Sequence, residues 1–302
     1  MTATRVALVT ARAARGLDED EPPLRLAMQA AGCEVLAVEW DDPAVQWDSF
    51  ELALLRSAWD YAERLHEFLN WARQVSALTR VLNELPVVQW NTDKHYLAEL
   101  AAGGVDIVPS TFIEPGEDPA SALGQFLSRH PHDELVVKPA VGAGSRDTER
   151  HLRTQIPAAQ AHVRRLLEAR RSVLLQPYLK RVDEAGETAL MFFDGHFSHA
   201  IRKGPLLPPA GRATTGLFAA ETITARTPGS DELQLAEKAL AAIPFATLAY
   251  ARIDLLRDDA GAPRLLELEL TEPSLFFAHA AGAAERFTAA VLQRCRRRPG
   301  QA

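Results

Sequence analysis

Val136-Val137-Lys138-Pro139-Ala140-Val141-Gly142-Ala143-Gly144-Ser145 is an apolar strand that ends in a lysine and runs into a loop of small residues. Backbone amides in such a loop can cradle phosphate oxygens, although the GxxxxGK[ST] order of a Walker loop is absent. Taken alone, the stretch is as readily a flexible turn beside an exposed lysine. A second stretch, Leu265-Leu266-Glu267-Leu268-Glu269-Leu270-Thr271-Glu272-Pro273, alternates so that Glu267 and Glu269 share one face of a strand. Arg252-Ile253-Asp254-Leu255 precedes it as the other arm of a hairpin turning around Asp258 to Gly261, which sets Asp254 nearby. Three hard carboxylate oxygens on one surface suit Mg²⁺, whereas alternating Leu and Glu by itself more often marks a solvated sheet face.

Upstream, Val6 to Val9, Val35 to Val38, Leu52 to Leu55 and Val87 to Val88 are strand candidates separated by helical patterns, which predicts an α/β lobe with a mostly parallel sheet. Pro22 and Pro23 suit the first turn of a helix that Gly32 closes. The turn after the first strand reads Ala11-Arg12-Ala13-Ala14-Arg15-Gly16 and lacks GxGxxG, which weakens a hydride-transfer reading of this Rossmann-like lobe. Asn91 or Thr92 can cap a helix that begins with Asp93 and Lys94 and ends at Gly103-Gly104, ahead of an extended run from Val105 to Ile113. A helix around Ala158 to Arg170 and a strand from Ser172 to Pro177 complete a small lid-like unit. Asp194-Gly195 suits a type I′ hairpin turn, and Ala280 to Arg298 reads as a closing helix. Three lobes are expected: a Rossmann-like lobe over 1–90, a central lobe with the glycine loop over 91–178, and a C-terminal lobe with the carboxylate strands over 179–302.

At 302 residues, 47% of them hydrophobic, the chain exceeds the size at which one core stops growing. Its formal charge of -7 has no basic block beyond Arg296-Arg297-Arg298, so no nucleic-acid partner is expected and an anionic substrate must be captured locally. Cys33 and Cys295 have neither CxxC spacing nor a companion His cluster, which points away from a disulfide framework and a zinc site. His66, His95, His151, His162, His196, His199 and His279 show no metal-ligand spacing. Without a long apolar run, the expectation is a cytoplasmic chain with no membrane partner; homo-oligomerisation is left open.

In order along the chain, Lys94, Lys138 with its glycine loop, Gln176-Pro177-Tyr178-Leu179, Asp254, then Glu267 and Glu269 resemble the motif succession of the ATP-grasp carboxylate-amine ligases. The resemblance runs from the first strand to Pro273. It implies an α/β chain with the ATP-grasp fold: an N-terminal Rossmann-like lobe, a small central lid lobe and a C-terminal antiparallel-sheet lobe. ATP and two Mg²⁺ ions are the implied cofactors. Lys94 and Lys138 would hold the α- and β-phosphates, while Gly142, Gly144 and Ser145 close over the γ-phosphate. Gln176, Tyr178 and Leu179 would meet adenine, with backbone groups of that strand at its edge, and Asp183 or Glu187 would reach the ribose. Asp254, Glu267 and Glu269 would hold metal, with Glu272 as a competitor; glutathione synthetase and D-alanine ligase relatives carry Asn where this chain has Glu269. Arg202, near the end of His199-Ala200-Ile201-Arg202-Lys203, looks like the family's arginine that steadies the transferred phosphoryl group and the oxyanion, a task suited to a permanently charged planar fork. Lys203 is read as a bystander.

A narrower resemblance rests on Arg56-Ser57-Ala58-Trp59-Asp60-Tyr61, Trp90 to Lys94, Lys138 to Thr148 and Leu268 to Leu275, which look like the O-ureido-D-serine cyclo-ligases that complete D-cycloserine in antibiotic biosynthesis. Arg56, Ser57, Trp59 and Asp60 follow a strand at the carboxyl edge of the first sheet and are the substrate candidates, with Arg56 as a carboxylate clamp. Trp59 and Tyr61 are equally suited to packing. The implied activity is ATP-dependent carbon–nitrogen ligation, in which a small amino-acid-derived carboxylate becomes an acyl phosphate and is attacked by its own nitrogen. Intermolecular dipeptide or glutathione-type ligation and ATP binding without catalysis are the alternatives. Gly204 to Gly216, rich in Pro and Gly, is a lid candidate.

Overall fold

The computed structural model describes residues 3–207, 222–245 and 248–296. Strands β1 (Thr4–Thr10), β2 (Cys33–Glu39), β3 (Leu52–Ser57) and β4 (Arg80–Leu82) form a parallel sheet in the order β2-β1-β3-β4. Five of the seven residues of β1 and all of β3 are buried, as a parallel sheet covered on both faces requires. Strand order reverses between β1 and β3, so the crevice at their carboxyl ends is where such a sheet receives a ligand. The helix Glu21–Ala30 follows β1 with its prolines in the first turn, as the sequence predicts. Val87 and Val88, in contrast, lie in a helix, Leu85–Asn91, and the fourth strand falls earlier. Pro86 fits that helix's first turn, and Val87, Val88 and Asn91 bury one helical face. The next helix starts at Tyr96, so Lys94 sits in the turn between the two, with its amide donating to Ala140 O (3.0 Å).

Strands β5 (Thr111–Ile113), β6 (Glu134–Pro139), β7 (Glu149–Leu152) and β8 (Val173–Pro177) form an antiparallel sheet in the order β5-β8-β6-β7. Leu135, Val137, Val173 and Leu175 pack against Leu123, Phe126, Val163 and Leu166 of the helices Pro119–Arg129 and Ile156–Glu168. Strand alternation then turns Val136, Lys138 and Gln176 the other way, into the central cleft.

Strands β9 (Glu187–Phe193), β10 (His196–Lys203), β11 (Ile223–Arg226), β12 (Tyr250–Arg257) and β13 (Pro263–Glu269) form a third, antiparallel sheet in the order β11-β10-β9-β12-β13. Phe193 pairs with His196 across a turn in which Asp194 (φ 49°) and Gly195 (φ 79°) are both left-handed, as type I′ requires. Asp254 pairs with Glu267 across β12 and β13. The closing helix Ala283–Arg296 packs Phe287 and Val291 into a core shared by Leu24 and Met28 of the first lobe and Phe193 and Tyr250 of the last. No helix among the described residues is long and apolar enough to cross a membrane. Of the lid candidate, residues 208–216 lie outside the described residues.

Candidate active site

β13 carries Glu267 and Glu269 at the edge of its sheet, where two side chains close its backbone. Asn91 Nδ2 donates to Leu268 O (2.7 Å), and Asn91 Oδ1 accepts from the Leu270 amide (2.7 Å). Tyr96 OH donates to Leu268 O (3.0 Å) and accepts from the Leu268 amide (2.9 Å). Further along, the Leu265 amide donates to Asp106 O (2.9 Å) and the Val108 amide to Leu265 O (2.8 Å). With these groups satisfied the register is pinned, and a slip of one residue, which would exchange the carboxylates for leucines, is blocked. Asn91→Ala leaves the buried Leu270 amide without its partner and takes one of the two donors from Leu268 O, and is expected to lower unfolding free energy by roughly 1–3 kcal/mol in urea titrations. A loss below about 0.5 kcal/mol would show that the edge closes without Asn91.

Between the three sheets lies a cavity of about 630 Å³ whose walls alternate in charge. Lys94 donates to Gly142 O (3.0 Å) and pairs with Glu267 Oε1 (2.9 Å). Burial disfavours its charge, yet Glu267 restores it and holds the pKa above the ordinary lysine value. Lys138 enters from β6, where burial, with Lys94 close by, pushes it down to about 8 against the pull of Glu267. Asp254 accepts from Arg252 Nε (2.9 Å), Arg252 Nη2 (2.9 Å) and Lys203 Nζ (2.6 Å). Burial opposes its ionisation, but these cations hold it well below the usual carboxylate range. Lys203 also donates to Glu187 Oε1 (2.5 Å). Burial, reinforced by Asp254, pushes Glu187 up to about 8 in spite of Lys203. Glu269 pairs with Arg252, yet burial and the charges of Asp254 and Glu267 raise it to about 8. Glu272, raised to about 7 by burial, shares a hydrogen bond with Tyr61.

The structure brings most of the sequence-predicted residues to this cavity. Lys94, Lys138, Gly142, Gly144, Ser145, Gln176, Tyr178, Leu179, Glu187, Asp254, Glu267, Glu269 and Trp59 all line it. Asp183 does not; it sits behind Tyr178, accepting from the phenol (2.5 Å). The Tyr178 amide donates to Glu134 O (3.0 Å), so it is not offered to a ligand's edge, and the Arg150 guanidinium covers the ring at 3.5 Å.

Three of the four substrate candidates lie elsewhere. Arg56 is 1% exposed, donates to Pro273 O (3.0 Å) and pairs with Asp20 (3.4 Å) and Asp18 (3.5 Å), which makes it an internal strut and not a clamp. Ser57 Oγ donates to Thr10 Oγ1 (2.7 Å), and Asp60 accepts from Trp40 Nε1 (2.8 Å). Both faces of β3 are covered, so its last residues serve packing; of the four candidates Trp59, beyond the strand, reaches the opening, as does its neighbour Tyr61.

Arg202 is not brought to the cavity either. Lys203 faces the cavity, so its neighbour on β10 faces away, and Arg202 donates to Ala185 O (2.8 Å) and Glu184 O (2.8 Å). Gly186 lets the chain pass there: it has φ +71°, and a Cβ would meet Lys203 O at 2.5 Å and Arg202 Nε at 2.8 Å. Of the arginines that line the cavity among the described residues, Arg252 is the one that pairs with Asp254; it stands two residues before Asp254 on the same strand face, and that spacing is the sequence signal for it. Arg202→Ala is expected to keep turnover within about twofold, the equivalent of ~0.5 kcal/mol. Arg252→Ala is expected to lower kcat by ~10²-fold or more, as removal of an oxyanion-directed donor does. The opposite ranking in steady-state kinetics would return the role to Arg202.

A parallel-sheet lobe, a glycine-loop lobe and an antiparallel sheet bearing carboxylates, closed on one lysine-lined cavity, define an ATP-grasp ligase. Residues 6–83 match the family described as the N-terminal domain of D-cycloserine synthetase DcsG. The chain is 41% identical over 298 residues to the cycloserine biosynthesis protein DcsG of Streptomyces lavendulae, covering 96% of this chain and 98% of that protein. It superposes on the crystal structure of D-cycloserine synthetase DcsG with a TM-score of 0.91 and 40% identity, over 97% of this chain and 100% of the other. D-alanine–D-alanine ligase from Bacillus anthracis shares the fold at a TM-score of 0.63 and 14% identity, over 97% and 99% of the two chains. The chain belongs to the DcsG family of ATP-grasp ligases and is an ATP-dependent carbon–nitrogen ligase.

Proposed function

We propose that the chain uses ATP and two Mg²⁺ ions to activate the carboxylate of O-ureido-D-serine and closes it through its own nitrogen to D-cycloserine, in the cytoplasm. The observation that carries this reading is the full-length likeness to DcsG, which includes the N-terminal lobe that supplies Asp18, Glu19, Asp20, Trp59 and Tyr61 to one end of the cavity. In this reading residues 1–90 form the substrate lobe, 91–178 the nucleotide lid and 179–302 the metal lobe.

The donor set fits magnesium, because Asp254, Glu267 and Glu269 offer hard oxygens from facing positions of one hairpin. Mg²⁺ held there would neutralise phosphate charge. Lys94 and Lys138 would pair with the phosphates, Gly142, Gly144 and Ser145 would cover the γ-phosphate, Gln176, Tyr178 and Leu179 would flank adenine, and Glu187 would take the ribose. The substrate carboxylate attacks the γ-phosphate and ADP leaves; the ring nitrogen-to-be then attacks the acyl carbonyl and phosphate leaves, and water takes up the carbamoyl group as carbamate, which breaks down to CO2 and ammonia and leaves the proton on the ring nitrogen. Arg252 is placed to meet the oxyanion of that second step, and Glu272, beside Tyr61, to receive a substrate ammonium. Positioning and electrostatics supply the acceleration.

The test is Mg²⁺-dependent ADP release with O-ureido-D-serine alone, beside single amino acids and amino-acid pairs, with products identified by mass. Cycloserine formed from the single substrate confirms the cyclo-ligase. Turnover only with a pair overturns it in favour of intermolecular ligation.

A further inference from the structure

The hairpin that carries the glycine loop returns along β7, where Glu149 and His151 share one strand face. The helix Ile156–Glu168 crosses that face and brings in His162. Both imidazoles are 3% exposed. His151 Nε2 lies 3.1 Å from His162 Nδ1, and the Glu149 carboxylate lies 3.7 Å from His151 Nε2 and 3.8 Å from His162 Nε2. His162 Nε2 is buried and has no hydrogen-bond partner among the described residues, a position that a ligand would satisfy. One ligating atom from each of the three residues falls within 4.8 Å of the others. Tetrahedral zinc with bonds near 2.0–2.1 Å sets its ligands about 3.4 Å apart. The contacts of the Glu149 carboxylate with the two Nε2 atoms, at 3.7 Å and 3.8 Å, are close to that spacing, while the His151 Nε2–His162 Nδ1 contact at 3.1 Å is a hydrogen bond between the rings.

We infer that Glu149, His151 and His162 form a transition-metal site, of the zinc class, at the foot of the glycine loop and outside the catalytic cavity. Two imidazoles and one carboxylate select a borderline ion over Mg²⁺, and three protein ligands leave a position for water. Arg165 lies 3.7 Å from Glu149 and pairs with Asp147 at 2.9 Å; its half-exposed side chain can turn to solvent when a cation enters. The bound ion clasps the return strand of the loop onto the helix and so stiffens the loop's root.

The test uses the full-length protein stripped of metal, with excess Mg²⁺ to fill the catalytic cavity, titrated with Co²⁺. One equivalent is expected to give the visible d–d bands of low-coordinate, imidazole-bound cobalt, displaced by one equivalent of Zn²⁺. His151→Gln and His162→Gln are expected to remove the bands, and Glu267→Gln to leave them. Absence of bands in the parent protein, or bands that persist in both histidine variants, would overturn the site. Should the histidine variants fail to fold by circular dichroism, Glu149→Gln decides: a fall in affinity of ~10²-fold or more supports the site, and unchanged affinity overturns it.

Discussion

Glu267→Gln is expected to abolish ADP release while the protein keeps its fold. Glutamine has the shape of glutamate and none of its charge, so the substitution removes one anionic oxygen from the face that Asp254 shares across the hairpin. It also removes the partner of the Lys94 ammonium at 2.9 Å. Burial resists ionisation of Glu267, yet Lys94 and Lys138 hold its pKa below the ordinary value, so the native group is a carboxylate at neutral pH. A metal's neutralisation of transition-state charge is worth several kcal/mol, so turnover should fall by at least ~10³-fold. The measurement pairs coupled ADP release with a thermal melt. Activity within tenfold of the parent, from a folded variant, would refute the metal assignment of this residue.

The largest stability loss is expected from Asp20→Ala. Asp20 Oδ2 accepts from the amides of Leu275 (2.5 Å) and Phe276 (3.0 Å), and Oδ1 from that of Phe277 (2.8 Å). The same carboxylate pairs with the buried Arg56 guanidinium at 3.4 Å. Alanine would leave a buried charge short of its partner together with three unmatched amides, a defect on the order of 3–5 kcal/mol. Asp20→Asn keeps one acceptor oxygen and should fall between the two. Chemical denaturation of all three proteins checks the ranking, and a loss under about 1 kcal/mol for alanine would mean that this corner relaxes around the gap.

The parts of the site that were legible in the sequence are those with a local period. Alternation placed Glu267 and Glu269 together, the Asp258 to Gly261 turn placed Asp254 opposite them, and the small-residue loop after Lys138 declared itself by composition. Parity was harder. Arg202 and Lys203 are adjacent, and only the pairing of Lys203 with Glu187 across β10 and β9 decides which one faces the cavity. Arg56 shows the same limit, since a strand-end arginine reads alike whether it meets a ligand or Asp18 and Asp20. Nothing local marks Asn91 and Tyr96 as partners of Leu268 and Leu270, because those contacts span most of the chain. His151 and His162 likewise come from a strand and a helix, whose packing sets their distance where the count of residues between them does not.

The closure of β13 by Asn91 and Tyr96 also bears on solubility. An outer strand with open amides and carbonyls is a template for another chain, and the usual protections are charges, prolines or a covering element. Here the covering element consists of the two helices flanking Lys94, so the strand that carries the carboxylates is barred from intermolecular sheet growth by the turn that delivers a lysine to the cavity. Loss of Asn91 should therefore show itself first as concentration-dependent association through this edge, before any change in the cavity.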